Sequence, residues 1–381
     1  MLSLGAREMA AAVRTLARGE LSRYTAGGRS EVARLEAETC ERTGTGHALA
    51  VASGTAALTC ALVGRGVGPG DEVLVPAFTW VASAAAVLAV GAVPVLVDID
   101  HSLTIDPLDA KRKITARTAA IMPVHMLNLV ADMDALTDLA AENGLSVIED
   151  AAQAVGVTHR GRRVGTIGDA GAFSFQQAKN VKAGEGGMML TDDSRTATRA
   201  LYYHDLGAYE RDGWTRTDEP LFVGLNLKMS ELTAAVLRPQ MRRLDRQLEL
   251  RRRRRAVVLD ALLSSPLRGF TVAPHHDEAS AVGLALRFED PAQAADFARR
   301  RTARLLADSG RHVFTRWWPV LERRTHHPRI DPHGWAGGHA DYSPASCPNT
   351  LPVLERTCVV DIAPELPYPA FRAAVRSLTS A

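Results

Sequence analysis

A lysine side chain can attack an aldehyde once its ammonium has lost a proton, and Lys179 stands where that loss is favoured. It lies in FSFQQAKNVKAGEGG (173–187), five residues beyond Ser174 in an apolar, strand-like run and ahead of a glycine cluster where the backbone can turn tightly. Burial in such a cleft lowers a lysine's pKa and makes it nucleophilic. Structural pairs also perturb lysines, and on this segment alone the structural reading is the commoner one. Asp150 ends the strand-like run VIED and precedes AAQA. Ligands of open α/β sheets gather at the carboxyl ends of strands. A carboxylate there can face a cationic heterocycle nitrogen, although Asp is equally a preferred helix N-cap.

Two further segments complete the inventory. In HALAVASGTAAL a strand gives way to a helix at Ser53-Gly54-Thr55. Free N–H groups and the helix dipole make such a start an anion site; Gly54 permits close approach and Thr55 adds a hydroxyl. S-G-T is also an ordinary cap, and it is neither GxGxxG nor a Walker loop, so dinucleotide and NTP binding gain no support. Trp80 follows the strand EVLVP and is either a core residue or a flat face for a planar cofactor. An aldehyde-reactive lysine, a carboxylate, an anion seat and a flat face are the parts that pyridoxal 5'-phosphate requires.

The elements that must position these residues alternate along the chain. Helices are expected at 5–18 and 30–43, the second capped by Ser30. From 47 to about 190, strands at 47–52, 72–76, 93–98, 119–124 and 146–150 alternate with helices at 54–66, 80–90 and 132–143. Continuous apolar strands separated by helices imply an α/β fold, a mostly parallel central sheet covered by helices on both faces. A long helix is expected over 229–262, kinked at Pro239, with the run Arg251–Arg255 read as a solvated face. A strand at 281–288 and a helix at 291–307 suggest a smaller C-terminal α+β domain. The expected division is residues 1–228 and 229–381.

Bulk properties set limits. With 45 Lys+Arg against 43 Asp+Glu, the net charge of +2 argues against a nucleic-acid partner. The apolar tract from 82 to 97 is broken by Gly91 and Pro94 and cannot span a membrane. The N-terminus has no apolar core of a signal peptide, and Cys40, Cys60, Cys347 and Cys358 show no CxxC spacing, which fits a reduced cytoplasmic compartment. The doublets His275-His276 and His326-His327 lack helical ligand spacing and are read as surface residues, so no metal is expected. His125 is either structural or close to the ligand, and His204 is a weaker candidate.

The segments HALAVASGTAAL, GVGPGDEVLVPAFTW, VIEDAAQAVG, GDAGAFSF, K-x-x-x-x-GEGG, GLNLKMSEL and SCPNT occur in the order found in the DegT/DnrJ/EryC1/StrS family of fold-type I aminotransferases, which this chain resembles over nearly its whole length. Within that family IMPVHM, FSFQ-x-x-K and CPNT are similar to 3-amino-5-hydroxybenzoate synthases, and Gln176-Gln177 to glutamine:scyllo-inosose aminotransferases. The resemblance implies that Lys179 bonds the aldehyde of pyridoxal phosphate and that Asp150 partners the pyridine nitrogen. It places Trp80 against the ring, Gln153 near its phenolic oxygen, and Gly54, Thr55 and Ser174 at the phosphate. Asn226 would reach the phosphate of the neighbouring subunit, implying a homodimer with shared sites. The implied reaction moves an amino group from glutamate or glutamine to a ketone of a sugar, cyclitol or related antibiotic precursor. An aromatising dehydratase and a catalytically silent cofactor-binding protein are the alternatives. Lysine at 179 argues against the sugar dehydratases of the family, which carry histidine there. Asn128 stands where glycine is common and Lys228 where arginine is common, which puts donor binding at Lys228 in doubt. Acceptor contacts are expected between His204 and Phe222.

Overall fold

The computed structural model describes residues 4–24, 27–210, 217–362 and 365–380. Seven strands form the larger sheet: β1 (His47–Val51), β2 (Glu72–Pro76), β3 (Val93–Val97), β4 (Thr118–Ile121), β5 (Ser146–Asp150), β6 (Ala170–Ser174) and β7 (Gly187–Thr191). Their spatial order is β1-β7-β6-β5-β4-β2-β3. Pairs from β3 across to β6 are parallel, and β7 runs antiparallel to both neighbours. Strands β2, β6 and β7 are buried at every position, as strands covered on both faces must be. The α/β expectation is met, and SVIED and EVLVP form strands over their expected spans.

Helices α1 (Ala6–Arg18), α2 (Glu31–Thr43), α3 (Gly54–Gly64), α4 (Ala82–Ala89), α5 (Pro107–Lys113), α6 (Met133–Asn143) and α7 (Ser194–His204) accompany this sheet. Ser30 caps α2 by accepting from the Ala33 N–H, as its position predicted. Helix α8 (Glu231–Ser264) runs unbroken through Pro239, which has no N–H to offer the carbonyl four residues earlier. Its first half packs Leu237, Met241, Leu244 and Leu248 into the core beneath the large sheet. Its second half packs Val258 and Leu262 against a four-stranded antiparallel sheet of β8 (Phe270–Val272), β9 (Ala285–Phe288), β10 (Ala303–Leu305) and β11 (Thr357–Val360). One rigid element thus contributes to both cores.

Three expectations need correction. The helix expected at 291–307 ends at Phe297, because Thr302 takes a left-handed φ of 71° and turns the chain into edge strand β10. The Arg251–Arg255 run is not a solvated face throughout. Arg255 is buried and bonds the Gly283 carbonyl and Glu278, while Arg254 bonds the Leu366 carbonyl and lies 4.8 Å over the Phe371 ring. Arg252 and Arg253 do pair on the surface with Glu249. The His275-His276 pair is half-buried, with His275 Nδ1 accepting from the Asp277 N–H, whereas His326 and His327 are exposed. No described helix is long and apolar enough to cross a membrane, and no group of metal-ligating side chains occurs among the described residues.

Candidate functional site

The site forms where strand ends converge. β5 ends at Asp150, which is 5% exposed, and main-chain bonds at both Asp150 N and O tie it to Pro123 and His125. One carboxylate oxygen accepts from Ser83 Oγ at 2.7 Å and the other from the Ala152 N–H at 3.1 Å. Ser83 is fully buried and has one proton, which goes to Asp150, so Thr79 Oγ1 donates to Ser83 Oγ at 2.8 Å. This hydroxyl relay holds the Asp150 side chain in place.

Lys179 follows β6 on a loop that the main chain pins at Gln176, through the Lys179 N–H. Burial pushes its ammonium below the usual lysine range, and the nearby Asp150 carboxylate partly opposes that. Lys179 lines a cavity of about 420 Å³ together with Gln153, Asn128, Asn180, Arg251, Arg304 and His312. Burial lowers the pKa of His312, and Lys179 is among the cations lowering it further. Its ring lies 5.0 Å from that of Trp80. The Arg311 guanidinium sits 4.5 Å over Trp80, so a planar ligand would use the indole's opposite face.

The anion seat is built by exclusion of side chains. Ser53 caps α3 by accepting from the Ala56 N–H. A Cβ added at Gly54 would lie 2.8 Å from Ser174 Cβ, and one at Gly187 would lie 2.2 Å from the Ser53 carbonyl oxygen. The β6–β7 hairpin and the start of α3 therefore touch backbone to backbone, which leaves Thr55 and the first N–H groups of α3 beside Ser174. This arrangement suits a phosphate. Lys179, Asp150 and Trp80 supply the amine, the carboxylate and the flat face, so the residues present fit pyridoxal phosphate.

The remaining residues are placed differently. Gln153 lines the cavity, but its carbonyl accepts from the Leu127 N–H at 3.1 Å and faces the 126–128 turn. Asn226 is exposed, on a segment whose neighbour Leu227 bonds Ala52 just before the anion seat. Lys228 is taken up by the buried Asp205 carboxylate. Asn128 has φ of 62°, a backbone that favours glycine and that Asn tolerates best among larger residues. Within the 204–222 loop, residues 211–216 lie outside the described residues, while His204 is buried against the Leu201 carbonyl at 2.8 Å. His125 is structural: its Nε2 donates to the fully buried Glu149 and its Nδ1 accepts from the Ala131 N–H. Ser83, Asn180, Arg251 and His312 were not anticipated. Ser83, Arg251 and His312 reach the site across tens of residues or more, which no local spacing encodes, while Asn180, next to Lys179, is tied in by partners 25 to 71 residues away.

The sequence pattern of the DegT/DnrJ/EryC1/StrS aminotransferase family matches residues 4–316. The L-glutamine:2-deoxy-scyllo-inosose aminotransferase of Micromonospora echinospora is 39% identical over 297 residues, covering 74% of this chain and 69% of that protein. The enzyme of that name from Streptomyces lividus is 42% identical over 268 residues, or 68% of this chain and 62% of its own length. The 3-amino-5-hydroxybenzoate synthase of Amycolatopsis mediterranei is 42% identical over 245 residues, 63% of this chain and 61% of its own. Two of these matches thus span less than two thirds of the relative's length. Among solved structures, a 3-amino-5-hydroxybenzoic acid synthase superposes with a TM-score of 0.80 at 29% identity, over 98% of this chain and 96% of that one. The S. venezuelae protein DesV gives 0.77 at 32% identity, over 98% and 94%. The fold is shared with an E. coli dehydratase holding hydrated pyridoxal phosphate, at 19% identity, a TM-score of 0.80, and coverage of 99% and 98%.

Proposed function

This chain belongs to the DegT/DnrJ/EryC1/StrS aminotransferase family, whose cofactor is pyridoxal phosphate, and from that premise we propose that it moves an amino group from glutamine or glutamate to a ketone on a cyclitol ring. The observation that carries the chemistry is a lysine with burial-lowered pKa within electrostatic reach of a buried carboxylate, Asp150. The choice of a cyclitol rests on the inosose aminotransferases at 39–42% identity.

When bound, the cofactor supplies an aldehyde that carries the amino group and a cationic ring that withdraws electrons. The α3 amides, Thr55 and Ser174 would hold its phosphate. Asp150, fixed by Ser83 and Ala152, is the carboxylate that would face the ring nitrogen and favour a proton there. Lys179 is the residue whose Nζ would hold the cofactor's aldehyde and be released as the donor's amine takes its place. Burial disfavours the charged form of the released Nζ, so Lys179 would be the group that takes the proton from the donor's α-carbon and returns it. The same steps in reverse aminate the ketone, which gives ping-pong kinetics. Trp80 would offer the cofactor ring a flat face.

We place the domain division near residue 228 and the active form as a homodimer. Leu206, Tyr209, Leu221, Val223 and Leu225 are exposed around Asn226, with Val223 86% exposed, and a second copy would cover them. A cytoplasmic location fits the four free cysteines.

The test is a divided reaction. The holoenzyme is converted with L-glutamine to its amine-loaded form, freed of donor, and offered a panel of ketones while the visible absorbance of the aldehyde form is followed. Cyclitol ketones are expected to restore it. Restoration by nucleotide-linked keto-sugars alone would overturn the acceptor assignment. The similarity to 3-amino-5-hydroxybenzoate synthases supports a second reading, aromatising dehydration. A new aromatic absorbance from a cyclic amino-ketone would establish it.

A further inference from the structure

Asn180 follows Lys179, and its amide makes three bonds. The Nδ2 group donates to Asn128 Oδ1 at 2.7 Å and to the Val155 carbonyl at 3.2 Å. Its Oδ1 accepts from Arg251 Nη1 at 2.8 Å. Arg251 comes from α8, where Leu244, Gln247, Leu248 and Arg251 present one face to the cavity that Lys179 lines.

The cations of that cavity are not equally matched. Lys182 has Glu365 at 3.9 Å, and Arg304 has Asp361 at 3.7 Å. Arg251 has a single neutral oxygen, and no carboxylate lies within ion-pair distance of it among the described residues. Burial pushes its guanidinium down, and Glu365 and Asp361 oppose that only from afar. A guanidinium carries five N–H donors in a planar fork that matches a carboxylate. A desolvated fork with one donor satisfied is incomplete without an anion. The excess in this cavity, beyond Lys179 itself, is one positive charge, which suits a monoanion and not a diphosphate.

We propose that Arg251 is the carboxylate receptor of this site, held in aim by the Asn128–Asn180 pair, and that the small acid reacting at Lys179 is seated through it. Asn128 and Asn180 are positioning residues. This inference rests on the transamination reading above and names how its acid substrate is held.

The test uses the holoenzyme and the change in cofactor absorbance on titration with L-glutamine. Arg251→Gln is expected to leave the starting spectrum unchanged and raise the half-converting concentration about 10- to 100-fold, the loss of charge-assisted hydrogen bonds. L-glutamine α-amide, which has no carboxylate, should lose little. Arg251→Lys should fall between, since it keeps the charge and loses the fork. Asn128→Gly keeps the left-handed backbone and removes the bond to Asn180, so it should weaken donor binding several-fold at unchanged maximal rate. If Arg251→Gln spares the donor but weakens a carboxylated ketone, the seated carboxylate is the acceptor's, and the receptor assignment stands. Calorimetry with glutaramate, a monoanion with one carboxylate and no amine, gives a reading without turnover: binding to wild type and none to Arg251→Gln supports the proposal even if transamination fails. Equal glutaramate binding, or unchanged titration with both donor and carboxylated ketone, overturns it.

Discussion

Gly54→Ala adds one methyl group at the point where α3 meets β6, and its effect can be worked from distances. The new Cβ would stand 2.8 Å from Ser174 Cβ and 3.2 Å from Ser174 Oγ, where ordinary contact begins near 3.4 Å. Gly54 opens α3 with helical backbone and a negative φ, so alanine carries no conformational penalty and the cost is steric alone. Ser174 Cβ cannot rotate away, because it is fixed to a strand buried between β5 and β7. The helix start must therefore retreat by about 0.6 Å, or the strand must bend, at an overpacking cost of about 1–3 kcal/mol. The amides that face the phosphate move with it, and displacements near 1 Å at such a site cost up to about 10²-fold. Pyridoxal phosphate is expected to bind the dialysed variant about 10- to 100-fold more weakly, measured by absorbance titration. The melting temperature should fall, and the fall should shrink at high cofactor concentration. Adding Ser174→Gly removes the opposing Cβ, so the double variant should be less impaired than the sum of the single losses. Wild-type affinity in Gly54→Ala would refute the assignment of the α3 start as the phosphate seat.

Three other outcomes follow from buried titrating groups. Lys179 is depressed below 10.5 in the folded chain, so between its lowered value and 10.5 the unfolded chain binds more protons and stability rises with pH. The apo form of Lys179→Met should therefore be more stable than apo wild type at neutral pH, with the advantage vanishing as denaturation is repeated toward pH 10.5; the same variant should lose all transamination. His204 falls from 6.5 to about 4, so stability is lost as pH drops from 6.5 to 4 and levels off below, a loss of about 3 kcal/mol that urea denaturation of His204→Asn should lack. Glu149 accepts from His125 and from the Gly165, Ile167 and Gly168 N–H groups with no exposure to solvent, so Glu149→Gln turns an N–H group toward donors and should cost about 3 kcal/mol, read by urea denaturation.

What could be read from the sequence divides along physical lines. The parallel sheet was legible because strands covered on both faces are written as unbroken apolar runs, and β2 and β5 begin and end where those runs do. Asp150 and Gly54 could be proposed as site residues because each sits at an element's end, and Lys179 because it lies in the loop that follows a buried strand. The helix over 291–307 was misread because alanine and arginine favour helix throughout, and nothing local announces the left-handed turn at Thr302 that the pairing of β10 with β11 imposes. The arginine run was misread for the same reason. Five like residues look alike in a sequence, yet along one helix Arg253 meets solvent, Arg255 clamps the Gly283 carbonyl, and Arg251 enters the cavity beside Lys179. Asn128 joins both cases. Its left-handed backbone explains why glycine is common there, while its side chain gains a bond to Asn180 that glycine would lack. A departure from family pattern that the backbone tolerates, and that adds one bond aimed at the site's unmatched cation, is therefore better understood as tuning of the acid pocket than as drift.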